Sequence, residues 1–434
     1  VHFAMQQLRQ GSTPFHKRGI QGLRDLGLMV TLLVIGSGLR LIWPADMEWK
    51  GDEIWMFETA RGVVEGQLPW PWLGMPSSTQ LQNPGMSVWP FIAMAYGAKT
   101  PVAMVRWVQW LNVVTLWLLF GFCYWQMARH PRERLIWLWG TVLAAVSPIG
   151  ILFSRKLWTT NVLPIFCILI LIGHWFRDKR WGAFLWGVVG SAIGQVHMSG
   201  FFLAAGLWLW TLYSDGRQGQ LRRTRWLSWL LGAGLGLIPL IPWLIYVASA
   251  TNDAARSWLG VMVPKFFVHW FATGLGINLG YSLGTHFWSD FLPQPILFGV
   301  PTYLVGLIHS ALLGVGIWGL VGWVRSCDRP LARVLTPANS TTGYYTRSHG
   351  MVTGLLFTLY ALNVTVHYVF VAFPVMYVWL ASVFARHGSV WRLVLIGQLL
   401  ISIAFLLLIH TTGGFADADY GIVYRLQPDV IKYP

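Results

Sequence analysis

The chain has 434 residues, of which 55% are hydrophobic and only 11% are charged, and it carries a net charge of +15. A soluble domain has roughly a quarter charged residues, so the composition excludes an ordinary soluble protein and indicates one that crosses a membrane repeatedly. The basic residues form short clusters between apolar segments rather than a run suited to nucleic acid. We therefore expect membrane lipids, and no nucleic acid, among the partners of the chain.

Apolar segments that are long enough to cross a hydrocarbon core of about 30 Å recur along the chain. Two longer segments contain polar interruptions, at residues 195–200 and 366–368, and each predicts a helical hairpin. Together the segments predict an all-α polytopic membrane protein with about 11 transmembrane helices, forming a single domain. They are residues 26–43, 107–127, 135–153, 161–176, 182–213, 226–248, 302–324, 351–384 and 391–410 of the 1–434 domain.

The loops between these segments differ in charge, and positive loops mark the cytoplasmic side. Most lysines and arginines fall on one side and most carboxylates on the other. This predicts a multi-pass protein of the inner or plasma membrane, with the N-terminus cytoplasmic and the C-terminus outside. The basic segments are residues 1–25, 128–134, 177–181, 214–225, 325–350 and 385–392.

Three predicted segments lie outside. The first outer loop, 44–106, contains an expected interfacial helix from Asp52 to Glu65, which places Met56, Phe57, Ala60, Val63 and Val64 at helical spacing. Residues 84–98, about 15 residues, are short for a crossing, and we interpret them as a second interfacial or re-entrant helix. The second outer loop, 249–300, is rich in aromatic residues and predicts a lid or a substrate channel against the membrane. The third segment is a short outer tail, 411–434.

Asp52 and Glu53 are adjacent carboxylates at the outer end of the first predicted span. A hydroxyl group that acts as a nucleophile needs a base to take its proton, and carboxylates serve in that role. Asp52 is the candidate base, although an aspartate is also a favoured N-cap of a helix that starts at residue 53. Glu53 could orient Asp52, bind an acceptor, help to hold a metal ion, or be a solvated acid at a helix start.

The order of several short motifs resembles the GT-C membrane glycosyltransferases, in particular the protein mannosyltransferase and aminoarabinose-transferase branch. The acidic pair is followed by an amphipathic helix and the turn Asn83-Pro84, as in that branch. Phe153-Ser154-Arg155 resembles its Tyr-Ser-Arg element, and His367-Tyr368 before Phe373-Pro374 resembles its late hairpin. The chain departs from the pattern of that branch at two places. Trp158-Thr159-Thr160-Asn161 contains no aspartate after the Ser-Arg element, and Gly85 stands where relatives have a second proline.

The resemblance implies a GT-C-like bundle and an enzyme that moves a sugar from a polyprenyl-phosphate donor to a hydroxyl group of a lipid, glycan or protein acceptor at the outer face. It implies inversion at the anomeric carbon, with Asp52 as the base and Glu53 beside it. A divalent metal ion is compatible with such a site but is not required by the sequence. The candidate residues for the donor phosphate and substrate are Arg155, Lys156, His197, His367 and Tyr368.

Each of these residues also has a plainer interpretation. Arg155 and Lys156 could pair with lipid headgroups, because long basic side chains reach the membrane interface. His197 and His367 could be structural histidines. For the whole chain, the alternatives are a polytopic transporter, a lipid-linked glycan flippase, or a ligase that transfers a whole oligosaccharide.

Overall fold

The computed structural model is almost entirely helical, and its few strands form short two-stranded antiparallel ladders. The structure describes residues 15–76, 81–249, 262–325, 336–338, 340–361, 363–384 and 387–427, without the side chains of 15–23. Residues 1–14 of the predicted cytoplasmic N-terminus, 250–261 of the second outer loop, 326–335 and 385–386 of two basic loops, and 428–434 of the tail lie outside the described residues.

The α-helices are α1 (Phe15–Leu41), α2 (Gly51–Val64), α3 (Trp89–Ala95), α4 (Pro101–Gln126), α5 (Pro131–Val146), α6 (Pro148–Leu152), α7 (Leu163–Trp175), α8 (Arg180–Val196), α9 (Ser199–Arg217), α10 (Trp226–Leu237), α11 (Ile241–Ser249), α12 (Lys265–Leu275), α13 (Gly280–Leu283), α14 (Leu304–Arg325), α15 (Thr341–Tyr345), α16 (Thr353–Leu359), α17 (Val375–Phe384) and α18 (Gly388–Thr412). Short 3-10 helices cover Pro44–Asp46, Gly85–Ser87, Thr159–Asn161, Leu221–Arg223, Ile238–Leu240, Val366–Ala372 and Tyr424–Leu426, and π-helical turns cover Phe287–Phe291 and Thr346–Val352. The strands pair as β1 (Leu73–Pro76) with β2 (Gln82–Pro84), β3 (Ile296–Leu297) with β4 (Val300–Pro301), and β5 (Gly414–Phe415) with β6 (Gly421–Ile422).

Several of these helices are suited to cross a membrane. Within the described chain, four helices are long and apolar enough by themselves: α4, the continuous Trp226–Ser249, α14 and α18. A fifth candidate is the pair Val366–Ala372 and Val375–Phe384, which is bent by 80°. The long apolar helices fit a multi-pass membrane protein, whereas the expected total of about 11 spans is not confirmed and stays a prediction.

The first predicted hairpin is broken where the sequence suggested. Helix α8 ends at Val196 and α9 begins at Ser199, so His197 lies in the two-residue break. The chain turns tightly there, because a Cβ atom on Gly200 would lie 2.4 Å from the carbonyl oxygen of Ile193. Only glycine fits at that position.

The second predicted hairpin, 351–384, has different boundaries. Helix begins already at Thr341, inside the segment that we expected to be a loop, and continues through the π-helical turn to Leu359. The hydroxyl group of Ser340 accepts a hydrogen bond from the backbone N–H of Gly343, and the hydroxyl group of Thr342 donates to Glu133 over 2.7 Å. These polar contacts start the helix ten residues before the apolar segment, which is why the hydropathy pattern missed its beginning.

Both helices that we expected in the first outer loop are present. Helix α2 packs against α3. Helix α3 has seven residues, which corresponds to about 10 Å of helix, so residues 84–98 do not cross the membrane as one helix. That the segment lies in the membrane interface stays a prediction.

The described part of the second outer loop is not a lid, because α12 enters the helical bundle. Lys265, at its start, donates a hydrogen bond to Asn363 over 2.6 Å, whereas the carbonyl oxygen of Gly274 accepts one from Gln398 in the interior of α18. The helix ends at Gly276, whose φ of 70° is left-handed, and the chain returns so that the hydroxyl group of Tyr281 lies 3.5 Å from the ring of His367. Phe266, Trp270 and Phe291 are buried in this packing, whereas Trp288 is 71% exposed.

The polar loops gather at two opposite ends of the bundle. At the end that we call the carboxylate end, the backbone N–H of Tyr424 donates to the carbonyl oxygen of Met47, and that of Tyr420 to Ser282. At the arginine end, the N–H of Arg225 donates to the carbonyl oxygen of Arg177. The loops predicted on opposite sides of the membrane thus separate, and which end faces the cytoplasm stays a prediction. The carboxylate end comprises residues 43–53, 153–161, 197–199, 278–291, 363–368 and 413–427, and the arginine end comprises residues 128–134, 174–180, 214–225 and 340–347.

Candidate functional site

Helix α2 presents one buried face, and a carboxylate lies on it. Glu53 is buried together with Met56, Phe57 and Ala60, at the spacing of one face of an α-helix. The expected apolar face is therefore present, but it packs against protein rather than resting on the bilayer surface. Glu53 shares this face, which brings its carboxyl group to the interior of the carboxylate end.

Asp52 precedes Glu53 and is only partly buried. Helix α2 starts at Gly51, and the residue at the N-cap position is Lys50, which makes no side-chain cap. Asp52 is therefore inside the helix rather than its cap, so the alternative role considered from the sequence is wrong. Its carboxylate is accessible from the surface, whereas that of Glu53 is not.

Glu53 is 1% exposed, and among the described residues its Oε2 atom has no hydrogen-bond partner. Burial raises its pKa well above the usual range, the nearby carboxylate of Glu48 raises it further, and the ammonium group of Lys156 opposes the shift. A carboxyl group in this environment holds a proton at a pH at which an exposed glutamate would be ionised. Perturbed acids of this kind are concentrated at functional sites.

Glu48 is the centre of an ion-pair network beside Glu53. Its carboxylate pairs with Lys156 and lies 2.8 Å from the Nζ atom of Lys50. Lys50 also lies 3.2 Å from the carboxylate of Asp419 and donates to the backbone carbonyl of the same residue. Asp419 belongs to the C-terminal tail, so the network joins the first outer loop, the loop after α6 and the tail.

The two lysines of this network differ in exposure. The side chain of Lys156 is 2% exposed and that of Lys50 is 40% exposed. Burial alone would lower the pKa of Lys156, but the carboxylates of Glu48, Glu53 and Asp419 outweigh it and raise that pKa. Lys156 is thus a fixed internal cation, whereas Lys50 can reach a solute.

With every group ionised, the cluster has three negative and two positive charges, which leaves a net charge of −1. A proton on Glu53 brings this sum to zero. We call Glu48, Lys50, Glu53, Lys156 and Asp419 the acid–lysine cluster. Its charge balance gives a physical reason for Glu53 to be protonated when the site is empty.

Three sequence-predicted residues lie together next to the cluster. The ring centroid of His197 is 5.8 Å from that of His367 and 5.4 Å from that of Tyr368. The indole ring of Trp158 lies 4.6 Å from His367 on one side and 5.8 Å from the Nζ atom of Lys156 on the other. The tips of both predicted hairpins therefore meet at the acid–lysine cluster, with Trp158 between them.

The imidazole groups have local partners. The Nδ1 atom of His197 lies 2.6 Å from the hydroxyl group of Ser199, and that of His367 lies 2.9 Å from the hydroxyl group of Thr365. The phenol of Tyr281, on the returning chain after α12, approaches His367 as well. These contacts orient both rings at the same wall of the site.

Arg155 has a different environment from the one that we expected. It is 1% exposed, and its guanidinium donates hydrogen bonds to backbone carbonyl groups at the end of α1, among them those of Ile42 and Trp43. The last carbonyl groups of a helix lack intrahelical partners, so this guanidinium satisfies them. These contacts favour a structural role, and Lys156 is the member of the Arg-Lys pair that lies in the cluster.

Glu48, Lys50 and Asp419 also belong to the site, although the sequence motifs did not indicate them. Glu48 and Lys50 stand within five residues of Glu53, so their proximity could have been noticed from the sequence. Asp419 follows Glu53 by more than 360 residues, and only the packing of the tail against the first outer loop brings them together.

The arrangement offers acid–base groups rather than a set of metal ligands. No group of three or more histidine, cysteine, aspartate or glutamate side chains within the described ranges is placed to hold a metal ion. The carboxylate of Glu48 already binds two ammonium groups.

A cavity of about 490 Å³ lies elsewhere, at the start of α4. Its walls include Thr100, Arg106, Trp107 and Trp110, and it contains no member of the acid–lysine cluster. Arg106 is the one ionisable side chain among these described lining residues, and an arginine by itself offers no acid–base pair, so we place the candidate site at the cluster.

Comparison with known proteins gives no match: no family model, no curated protein and no solved structure is significantly similar to the chain. The resemblance to GT-C glycosyltransferases therefore depends on the short motifs described above.

Proposed function

We propose that this chain is a membrane glycosyltransferase that moves a sugar from a polyprenyl-phosphate donor to an acceptor hydroxyl group at the carboxylate end, outside the cytoplasm. The observation that carries the proposal is the pair Asp52–Glu53, with one carboxylate accessible and the other buried beside lysines. This is the combination that a hydroxyl-activating site at a membrane surface needs.

The chemistry assigns different tasks to the two carboxylates. Asp52 takes the proton of the acceptor hydroxyl group, whose oxygen forms a bond to the anomeric carbon. The bond between that carbon and the phosphate oxygen breaks, and the phosphate leaves with the electron pair. Glu53 does not react. It is buried next to Asp52 and holds a proton, which makes the net charge of the empty acid–lysine cluster zero.

The departing phosphate needs a cation. Arg155 is committed to backbone carbonyl groups, which leaves Lys50 and Lys156 as the ammonium groups of the site. An incoming phosphate reaches Lys50 by replacing Asp419, whose side chain is 37% exposed. His197, His367, Tyr368 and Trp158 form the adjoining wall, where a sugar ring would pack against aromatic faces.

The donor is tested by reconstitution in nanodiscs that contain no endogenous polyprenyl phosphate. Lipid, glycan and protein fractions of a cell envelope serve as acceptors, and the sole donor is either a synthetic polyprenyl-phosphate sugar or a nucleotide sugar. We expect transfer only from the lipid-linked donor. Transfer from the nucleotide sugar alone would refute the proposal.

The base is tested by Asp52→Asn, which keeps the shape of the side chain and removes the proton acceptor. General bases contribute typically about 100- to 10,000-fold to a rate, so turnover should fall by at least about 100-fold. The matched control is Asp178→Asn, which makes the same change at an exposed position of the arginine end. If both variants turned over at the normal rate, Asp52 would have no part in the chemistry.

A further inference from the structure

An exposed apolar hairpin precedes helix α14. Its strands pair Ile296 with Pro301 and Leu297 with Val300, and the residue at its tip, Phe298, is fully exposed. Ile296, Leu297 and Val300 are also more than half exposed. A protein rarely leaves such a patch in water, because burying apolar surface is favourable.

The hairpin belongs to a long uncharged stretch of chain. No lysine, arginine, aspartate or glutamate occurs from 291 to 324, a stretch that contains both the hairpin and nearly all of α14. Helix α14 is a candidate membrane span, and Leu307, next to the hairpin, is 68% exposed on its outer surface. The exposed apolar surface of the hairpin is thus continuous with the lipid-facing surface of a span.

The depth of the hairpin follows from the packing of α14 against α18. Gly397 of α18 faces Ile308 and Leu312 of α14, so these residues lie at the same level. At 1.5 Å per residue, α18 continues about 22 Å from there to Thr412, whereas α14 continues only about 9 Å to its start at Leu304. Helix α14 therefore begins about 13 Å below the end of α18.

The hairpin occupies this gap. The backbone N–H groups of Val305 and Gly306 donate to the carbonyl oxygens of Gln294 and Leu292, so the chain before the hairpin runs up beside the first turn of α14. The two extended residues Ile296 and Leu297 rise about 7 Å at 3.3 Å each, so the tip stays below the level at which α18 ends.

We propose that the hairpin Ile296–Pro301 inserts into the lipid leaflet at the carboxylate end, with Phe298 among the phospholipid acyl chains. Phe291, five residues before the hairpin, packs against Phe405 of α18, so an inserted hairpin and this contact together anchor the returning chain after α12. The same segment carries Tyr281 to the candidate site, so lipid contact at the hairpin holds one wall of that site in place.

A second copy of the chain is the competing occupant. The tip consists of two residues, Phe298 and Gly299, and is adjacent to the lipid-facing surface of α14, whereas a stable protein interface buries about 800 Å² on each partner. A lipid leaflet accommodates a narrow apolar projection without a complementary surface. The geometry therefore favours lipid.

The test is the membrane depth of a nitroxide spin label at residue 298. The Phe298→Cys variant is made with Cys327→Ser, while Cys123 and Cys167 are buried and stay in place. In vesicles of phosphatidylcholine and phosphatidylglycerol, collision with oxygen reports acyl chains and collision with a water-soluble nickel complex reports water. The ratio of oxygen to nickel collisions should be severalfold higher at residue 298 than at a label introduced by Asp417→Cys, whose side chain is 71% exposed in the tail.

A label at Leu307→Cys calibrates the lipid-facing surface of α14, and Val300→Cys repeats the test at a second hairpin position. A water-like collision ratio at both 298 and 300 would overturn the proposal. Spin–spin broadening at residue 298 that disappears on dilution with unlabelled protein would show a second copy instead, which would equally overturn it. The measurement needs no enzymatic activity, so it is independent of the proposed function.

Discussion

The two lysines of the acid–lysine cluster allow a sharp test of its energetics. Lys156→Met and Lys50→Met make the same chemical change, and both residues pair with Glu48. They differ in that the side chain of Lys156 is 2% exposed and that of Lys50 is 40% exposed. We expect the buried lysine to stabilise the fold strongly and the half-exposed lysine to contribute little.

The magnitude follows from what each substitution leaves behind. Removing one partner of a buried ion pair costs about 3–5 kcal/mol, because the other charge stays buried without compensation. Glu48 keeps Lys50 after Lys156→Met, so we expect the lower value, about 3 kcal/mol. An exposed pair contributes about 0–1 kcal/mol, which is the expectation for Lys50→Met.

Two buried thiols provide the assay. Cys123 and Cys167 are free and inaccessible in the folded chain, so a thiol-reactive dye modifies them only when the structure opens. In a Cys327→Ser background, about 3 kcal/mol corresponds to a rate of modification that is about 150-fold faster, and 1 kcal/mol to one that is about 5-fold faster. Lys156→Met should therefore react far faster than Lys50→Met under native conditions.

Equal rates for the two variants would refute the reasoning. That result would mean that the network is solvated to the same degree around both lysines, and that Glu53 is not in the low-dielectric environment from which its protonation follows. A rapid reaction of Lys50→Met alone would reverse the assignment of the internal and the accessible cation.

Two further predictions concern pH. The folded state holds a proton on Glu53 that the unfolded chain releases, so the free energy of unfolding should decline as the pH rises from the usual glutamate range towards the raised pKa. Urea titrations at a series of pH values measure this decline, and Glu53→Gln should flatten it. The matched control is Glu65→Gln, at the exposed end of α2. An unchanged slope in Glu53→Gln would contradict the raised pKa. Hydrogen bonds to Asp290 and then to Asp417 raise the pKa of His286. The contact of His286, in the returning chain, with Asp417, in the tail, should therefore be fully present below the usual histidine range. It should be lost as the pH rises through the raised pKa of His286. Amide hydrogen exchange of residues 414–421, corrected for intrinsic rates, should accelerate across that step in the parent chain and show no step in His286→Gln; a step in both would assign it to another group.

The sequence predicts the parts of this fold that follow from hydropathy and periodicity. The break at His197, the helix after Lys50 and the short helix near Trp89 all have local signals, namely a polar interruption, helical spacing and insufficient length for a span. Glu53 also had a signal, because it precedes Met56 and Phe57 at the spacing of one helical face. The position of a carboxylate on the apolar face of a helix indicates burial more strongly than its position next to another acid does.

Other features lack a local signal. Arg155 and Lys156 are adjacent and chemically alike, and only the position of the carbonyl groups at the end of α1 decides which of them caps a helix and which enters the cluster. Helix α12 has the aromatic composition of an interfacial segment, and its insertion depends on space between α17, α16 and the 3-10 segment Val366–Ala372. Long-range packing decides both cases, and a pattern of residues along the chain does not encode it visibly.

The pairing of the tail with the first outer loop has a consequence for the biogenesis of the protein. Glu48 forms a backbone bridge with Val423, and Lys50 binds Asp419, so residues from the beginning and the end of the chain complete one site. At a translation rate of about 5–20 residues per second, roughly 20–70 seconds separate the synthesis of these partners. During that interval the nascent chain carries an incomplete site, so the site is completed only after α18 has been synthesised.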